Sequence, residues 1–356
     1  MPSLAILQCH LWRTFTSSVI RSGLCALPLR HNHTQPLTAF HRKLLRGFLK
    51  LSQNSPIPAL YFLLGELPLE GRLHLDVLSL FWSVWSNPES TTYNIVRYLL
   101  TMSSDNSRTW SIHLRHICRM YSMKDPLVLL QEDAWPQETW KAYTKTLVTS
   151  YHEKKLRQDA STNSRMSLLN ISLMGLSGKA YYILEDVLSA DDVSKLRIHI
   201  KMLCQDYVTH GMLAKQSADR GVYSVSGHCR ACPSGEWDDI RHILTECDAT
   251  SCARVALFPK IEEILRDVEP GLNWPNLKDD KANLTLFIVD PASMSLPSHY
   301  RIPLNHPQLT TLVKNMRELC FRSHKLRSKA LRSSKGRSEL TLGTPEPNGS
   351  MDQPRN

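Results

Sequence analysis

The chain is 356 residues long, 42% hydrophobic and formally +10 at neutral pH, so it can bury a real core in two or three domains and is neither fibrous nor wholly disordered. Nine cysteines without the dense spacing of a secreted scaffold exclude a disulfide framework and point to a reducing compartment, nucleus or cytoplasm. Apolar runs such as ALYFLLG (59–65) are far too short to cross a bilayer, so no membrane partner is expected.

Charge is unevenly placed. Residues 1–65 carry Arg13, Arg21, Arg30, Arg42, Lys43, Arg46 and Lys50 with no acid, and residues 314–337 carry nine Lys or Arg against Glu318 alone. Together these two poles exceed the formal total, so the middle of the chain is mildly acidic. Basic ends suit a polyanion, because each phosphate neutralised releases condensed counterions; a solvated charged face is the plainer alternative. An acid-free N-terminus containing Arg and Ser also describes a mitochondrial presequence, although here the basic residues continue in step with apolar ones beyond a normal cleavage region.

Helical periodicity dominates in chain order, and the fold expected is mainly α: an irregular helical bundle with a small zinc-knuckle module and a disordered C-terminal tail. LTAFHRKLLRGFLKL (37–51) sets Leu37, Phe40, Leu44, Leu45, Phe48 and Leu51 on one face and Arg42, Lys43, Arg46 and Lys50 largely on the other. ALYFLLGEL reads as a short buried helix and 67–88 as a longer one stopped by Asn87-Pro88, with Trp82 and Trp85 in the core. Helices follow at about 89–102, 107–121 and 136–159, the first two separated by SSDNS. STNSR (161–165) and GLSGK (175–179) read as loops, and the latter lacks the spacing and preceding strand of a phosphate cradle. Ser189 caps a helix over about 191–209 with Arg197 and Lys201 on its wetter side. A helix over 257–268, a Pro- and Gly-broken connection and a strand over 284–290 lead to a final helix over 305–331 whose second half is strongly basic. The segments are a basic helical stretch 1–66, a helical domain 67–220, the knuckle 221–258, an extension 259–332 and a tail 333–356.

The most specific local pattern is CRACPSGEWDDIRHILTEC (229–247). Cys229 and Cys232 lie on a short turn that brings two thiolates to one ion, and the second element supplies His242 and Cys247. Asp238 or Asp239 can cap that element, and Ile240, Ile243 and Leu244 give it an apolar face. Cys247 is five residues beyond His242, about 140° away around an ideal α-helix, so regular helix must end or unwind before both can converge. A Cys3His site is four-coordinate and closed, which makes Zn2+ structural there; His228 or Cys252 can replace one ligand.

The ordered pieces FHRKLLRGFLKL, IPALYFLLGELPLEGRLHLDVLSLF, NSRTWSIHLRHICRMYSMKDPLVLL and KLRIHIKMLCQDYVTH, leading into the knuckle, resemble the C-terminal region of non-LTR retrotransposon reverse transcriptases. The resemblance covers about residues 10–258 and continues more loosely through ELCFRSHKLR. It implies a helical thumb and connection followed by a CCHC knuckle, with RNA, DNA or an RNA–DNA hybrid as partner. Phosphate contacts are then expected from Arg42, Lys43, Arg46 and Lys50 and from Arg322, Lys325, Arg327, Lys329 and Arg332.

Polymerisation is not implied. That chemistry needs clustered carboxylates holding two Mg2+ ions, which the family places in an aromatic-Ala-Asp-Asp hairpin. Ser189-Ala190-Asp191-Asp192 has Ser for the aromatic, opens a helix and lies after the thumb-like region, so it reads as a helix cap. No catalytic residue is assigned; the palm and fingers are absent, and a palm domain is an expected partner. The same region reads as part of an RNA-directed DNA polymerase if the chain is a piece of a longer one. A nuclease reading on Asp279, Asp280 and Asp290 lacks the PD-(D/E)xK spacing. From another class, a zinc-stabilised helical protein-interaction module accounts for the acidic middle and the many apolar helices.

Overall fold

The computed structural model describes residues 4–29, 31–102, 109–185, 189–221, 226–268, 273–293 and 295–340. Their helices are α1 (Leu4–Leu11), continued by a π turn (Trp12–Thr16) into α2 (Ser17–Arg21), then α3 (His31–Leu49), α4 (Ile57–Leu64), α5 (Leu69–Trp85), α6 (Thr91–Met102), α7 (Trp110–Met120), α8 (Pro126–Leu129) and α9 (Gln137–Ser161). The second half adds α10 (Ala190–Leu203), α11 (His210–Ala218), α12 (Ser251–Val268), α13 (Trp274–Asp279), α14 (Lys281–Val289) and α15 (Leu309–Leu340). An antiparallel bridge pairs His228 with Trp237, and Glu185 also lies in a bridge. The chain is mainly helical, as its periodicity predicts.

The first half packs around α4 and α5. Every residue from Pro58 to Leu64 is buried, and the helix ends where Gly65 turns left-handed at φ 60°. A Cβ on Gly65 would fall 2.1 Å from the Lys179 carbonyl oxygen, so the GLSGK loop and this glycine are fitted to each other. The Gly178 and Tyr181 amides donate to the carbonyls of Gly65 and Leu63, both at 2.8 Å. Along α5, Leu73, Val77, Leu78, Phe81, Val84 and Trp85 face inward at helical spacing. Trp82 and Trp85 donate their indole N–H groups to the carbonyls of Trp135 and Glu132, both at 2.9 Å; Trp85 lies in the core as expected, and Trp82 packs against its edge half-buried.

A buried carboxylate fastens the N-terminal segment to this half. Glu66 is fully buried, pairs with Arg13 from the π turn and with Arg72 of α5 at 2.5 Å, and accepts from the Cys9 thiol at 3.3 Å. Arg13 also donates to the carbonyls of Leu64 (2.8 Å) and Gly178 (2.7 Å). Burying a carboxylate is tolerable only with such pairing, so Arg13 is a structural cation.

Expectations change at several elements; the helix expected over 191–209 ends at Leu203. The run LTLFIVD lies in helix α14, with residue 290 just past its end, and is not a strand: Asp280 accepts the Asn283 amide at 3.1 Å as its cap, and Leu284, Thr285, Phe287, Ile288 and Val289 are buried. A short run buried on nearly every side has no periodicity to separate strand from helix, and the cap decides. The last helix continues to Leu340, past the expected boundary at 333; residues 341–356 of the expected tail lie outside the described residues, as do SSDNS and 269–272 of the Pro- and Gly-broken connection. Asp280 and Asp290 stand at the two ends of the nine-residue α14, ten residues and roughly 15 Å apart at 1.5 Å per residue, so they form no nuclease-like cluster.

Ser189 forms a capping box with Asp192 at the start of α10, and Asp191 pairs with Lys195 at 2.7 Å. Those acids serve the helix, as their context predicts. Buried apolar residues from Ala5 to Cys320 form one cluster, to which Ile240, Ile243 and Leu244 of the Cys/His segment belong.

Candidate metal centre

Two elements build the site. In the first, the Cys229 amide donates to the Glu236 carbonyl at 2.8 Å and the Asp238 amide to Gly227 at 2.9 Å, closing a small loop around the Cys-x2-Cys turn. Inside it, the amides of Ala231 and Cys232 point at the Cys229 sulfur and that of Ser234 at the Cys232 sulfur. These donors stabilise thiolates in a way water cannot once the turn is packed.

The second element resolves the spacing of His242 and Cys247. Residues His242–Glu246 form a π turn, in which the Cys247 amide donates to the His242 carbonyl at 2.7 Å. An i→i+5 closure brings the residue five positions on beneath the first, so the helix widens where an ideal α-turn would have thrown Cys247 aside. Asp239 caps the turn, accepting the His242 amide at 2.8 Å. Arg254 of α12 grips the Cys247 carbonyl at 2.9 Å and Thr250 Oγ1 at 2.8 Å, holding the exit from the turn.

As a result the Sγ atoms of Cys229, Cys232 and Cys247 and a ring nitrogen of His242 all lie within 4.8 Å of one another. The Cys229 and Cys247 sulfurs are 3.9 Å apart, and the Cys232 sulfur is 3.3 Å from His242 Nε2. A tetrahedral ion at about 2.3 Å from sulfur and about 2.0 Å from nitrogen sets such edges at about 3.8 and 3.5 Å. The donors fit one ion, and a disulfide at about 2.05 Å is excluded at this separation. Cys229, His242 and Cys247 are buried while Cys232 is half-buried, and all four positions of a tetrahedron are taken by protein. His228 and Cys252 are exposed and stand outside this group.

The thiols and the imidazole polarise one another. The Cys247 thiol hydrogen-bonded to Cys229 pulls the Cys229 thiol down to about 3, against its burial. Burial opposes ionisation of Cys232, yet the Ser234 hydroxyl and amide and His242 hold it below its ordinary value. Cys229 in turn pushes His242 up to about 9 and Cys247 up as well. The group thus gathers negative charge that a cation would neutralise, displacing the remaining protons. The other ring nitrogen of His242 is buried without a hydrogen-bond partner, with the Glu246 carboxylate 4.0 Å away.

Asp238, a cap candidate by sequence, has a different role. It is fully buried and accepts from the His210 amide (2.6 Å), His210 Nδ1 (2.8 Å) and Arg327 of α15 (2.6 Å). Arg327, expected at phosphate, is therefore turned inward at 5% exposure, with its guanidinium also over the Tyr207 ring. Spacing along α15 could not reveal this, because the partner lies 89 residues away.

The other basic residues divide. Lys43, Lys50, Lys325, Lys329 and Arg332 are exposed. Arg322 is exposed but paired with Glu318 across one helical turn, and Lys325 lies over the Phe321 ring at 4.5 Å. Arg42 and Arg46 are half-buried, and Arg46 donates to the Ser55 carbonyl at 3.4 Å. No protein-family model, curated protein or solved structure matches this chain.

Proposed function

We propose that this chain is a nucleic-acid-binding module with one structural zinc ion, of the kind that non-LTR retrotransposon reverse transcriptases carry after the palm, and that it is not catalytic by itself. Zinc is the natural occupant of the cluster, since three thiolates and an imidazole form a soft, tetrahedral donor set with no open position for water. RNA, DNA or an RNA–DNA hybrid is the partner, and a separate palm would supply polymerase chemistry.

One observation carries the reading. Cations remote in sequence gather near α10: Lys50 and Arg197 line one groove, while the charges of Arg327, Lys201 and Lys325 all bear on His324, which burial already disfavours as a cation. Arg197 and Lys201, four residues apart, share one face of α10, with Arg197 beside Lys50 and Lys201 on the side of His324. A band of this kind follows a phosphate backbone. Filter binding across a salt series tests it: affinity should fall with a log–log slope of about −0.9 per duplex phosphate contacted. Absence of binding to any polynucleotide at low salt contradicts it.

A second reading, the protein-interaction module, is favoured by Leu4, Leu7, Leu11, Phe15 and Val19, an exposed apolar stripe along α1, the π turn and α2. Light scattering of the chain and of Phe15→Asp tests its simplest form: an assembly that dissociates in the variant supports it, and a monomer in both removes self-association.

A further inference from the structure

A cleft of about 460 Å3 opens beside the metal centre, within the size range of small-ligand sites. Arg165, Gln205 and Tyr207, Lys215 of α11, and Trp237 and Arg241 of the Cys/His segment line it. Trp237 is 36% exposed, a large share for an indole at the edge of a packed module. Its ring is seated on two glycines. A Cβ on Gly227 would fall 2.2 Å from a ring carbon, and one on Gly211 would fall 2.4 Å from the indole nitrogen. Backbone therefore supports the ring at both glycines, His228 meets it edge-on with centroids 6.0 Å apart, and the exposed part of the indole borders the cleft. Around it stand three cations, Arg165, Lys215 and Arg241, against the carboxylates of Asp219 and Asp239; Asp239 is already engaged by the His242 amide, and Arg165 gives one of its donors to the Asn54 carbonyl at 2.8 Å.

We propose that this cleft binds a single-stranded polynucleotide, with one base stacked on Trp237 and the neighbouring phosphates on Arg165, Lys215 and Arg241. This rests on the nucleic-acid reading above and adds the form of the ligand and the place it docks. A held aromatic ring flanked by cations suits bases whose faces are free, because stacking tolerates any sequence and charge follows the backbone. In a duplex those faces are already covered by neighbouring pairs, so the ring has nothing to stack on. Tyr207 forms part of the wall, its hydroxyl 2.9 Å from His324 Nδ1, and Gln205 offers an amide for base edges.

The test uses the full chain loaded with zinc, and fluorescently labelled oligo(dT), oligo(U) and a duplex of equal length at low salt. Both single strands should bind, and unlabelled duplex should compete poorly. Trp237→Ala should weaken single-strand binding by about 5- to 100-fold. Lys215→Ala and Arg241→Ala should each weaken it and flatten the salt dependence by about 0.7 in log–log slope. These two side chains are exposed, so they decide the matter if Trp237→Ala loses its zinc. Variants that bind like the parent, or a duplex that competes as well as single strands, overturn the cleft and leave the broader reading standing. If the parent binds no oligonucleotide, both fall.

Discussion

Two fully buried carboxylates, Glu66 and Asp238, each tie together segments remote in sequence, and they differ in what supports them. Glu66 depends mainly on charge: Arg13 and Arg72 pair with it, the Cys9 thiol adds a hydrogen bond, and Arg13 ties the N-terminal helices to this half. Asp238 joins α15 and α11 through Arg327 and His210, and its loop also carries the converging Cys229, Cys232, His242 and Cys247 side chains, which a metal ion would tie together. Losing one partner at Glu66 should therefore free a segment, whereas the loop at Asp238 has a second restraint.

The largest effect is expected from emptying that second restraint. Binding free energies of closed zinc modules are about 10–16 kcal/mol, and that energy is folding energy for the segment holding the ligands. A strong chelator, or the double variant Cys229→Ser/Cys232→Ser, should open residues 226–250 to protease while the Glu66 region stays protected. Mass-mapped proteolysis reads this directly, and equal protection with and without metal would remove the metal from the account.

Next come the carboxylates themselves. Glu66→Gln leaves two guanidinium groups facing a neutral amide and should cost about 3–5 kcal/mol in urea unfolding. Asp238→Asn should cost a similar amount while the protein keeps its zinc. A Glu66→Gln variant as stable as the parent would show that the N-terminal helices are held by apolar packing of Ala5, Cys9 and Trp12 instead.

Histidines sharpen the comparison with pH. Burial holds His41, beside Glu66, down to about 4, and likewise His74 to about 3, His152 to about 4 and His199 to about 3. Each folded value lies below the unfolded 6.5, so the unfolded chain takes up protons first. Their stabilisation is complete above about pH 6.5 and is lost as pH falls from there toward 4, by up to about 2 kcal/mol for each histidine at pH 5. Asp290 works the other way: burial lifts it to about 7, against hydrogen bonds from Tyr182 and Tyr181, so its protonation favours the fold as pH falls. His242 lies on the opposite side from His41, raised to about 9 by Cys229, and without metal its contribution is present below 6.5 and lost as pH rises through 9. Acid unfolding followed by circular dichroism should thus begin near pH 6, and zinc added near pH 7 should release protons measurable in weak buffer. A chain stable to pH 4 would contradict the buried neutral histidines.

The smallest effect concerns the turn beneath Arg13. Gly65→Ala forces an L side chain into a left-handed φ and against the Lys179 carbonyl, and should destabilise by more than about 1 kcal/mol in the same urea assay. An unchanged midpoint would mean that the 175–179 loop moves away freely.

Most helices and all four converging ligands were legible in the sequence, because amphipathic spacing and ligand spacing are local signals. The run 67–88 announced α5 through its apolar period and Asn87-Pro88, and Ser189 with Asp192 announced the start of α10. Where periodicity vanished the reading failed: α14 is buried on nearly every side, so only the Asp280 cap distinguishes it from a strand. Long-range pairing was equally invisible. Nothing near Arg327 in sequence shows that it meets Asp238, and nothing near Glu66 shows that Arg13 reaches it. The π turn was legible only as a conflict, since Cys247 could not follow His242 on a regular helix.

The most direct test of the central claim is zinc content per chain of the purified protein, measured alongside Cys229→Ser/Cys232→Ser and Cys252→Ser. A closed Cys229, Cys232, His242 and Cys247 site predicts one zinc in the parent, essentially none in the double variant and a full complement in Cys252→Ser. Zinc retained by the double variant, or lost with Cys252, would contradict it.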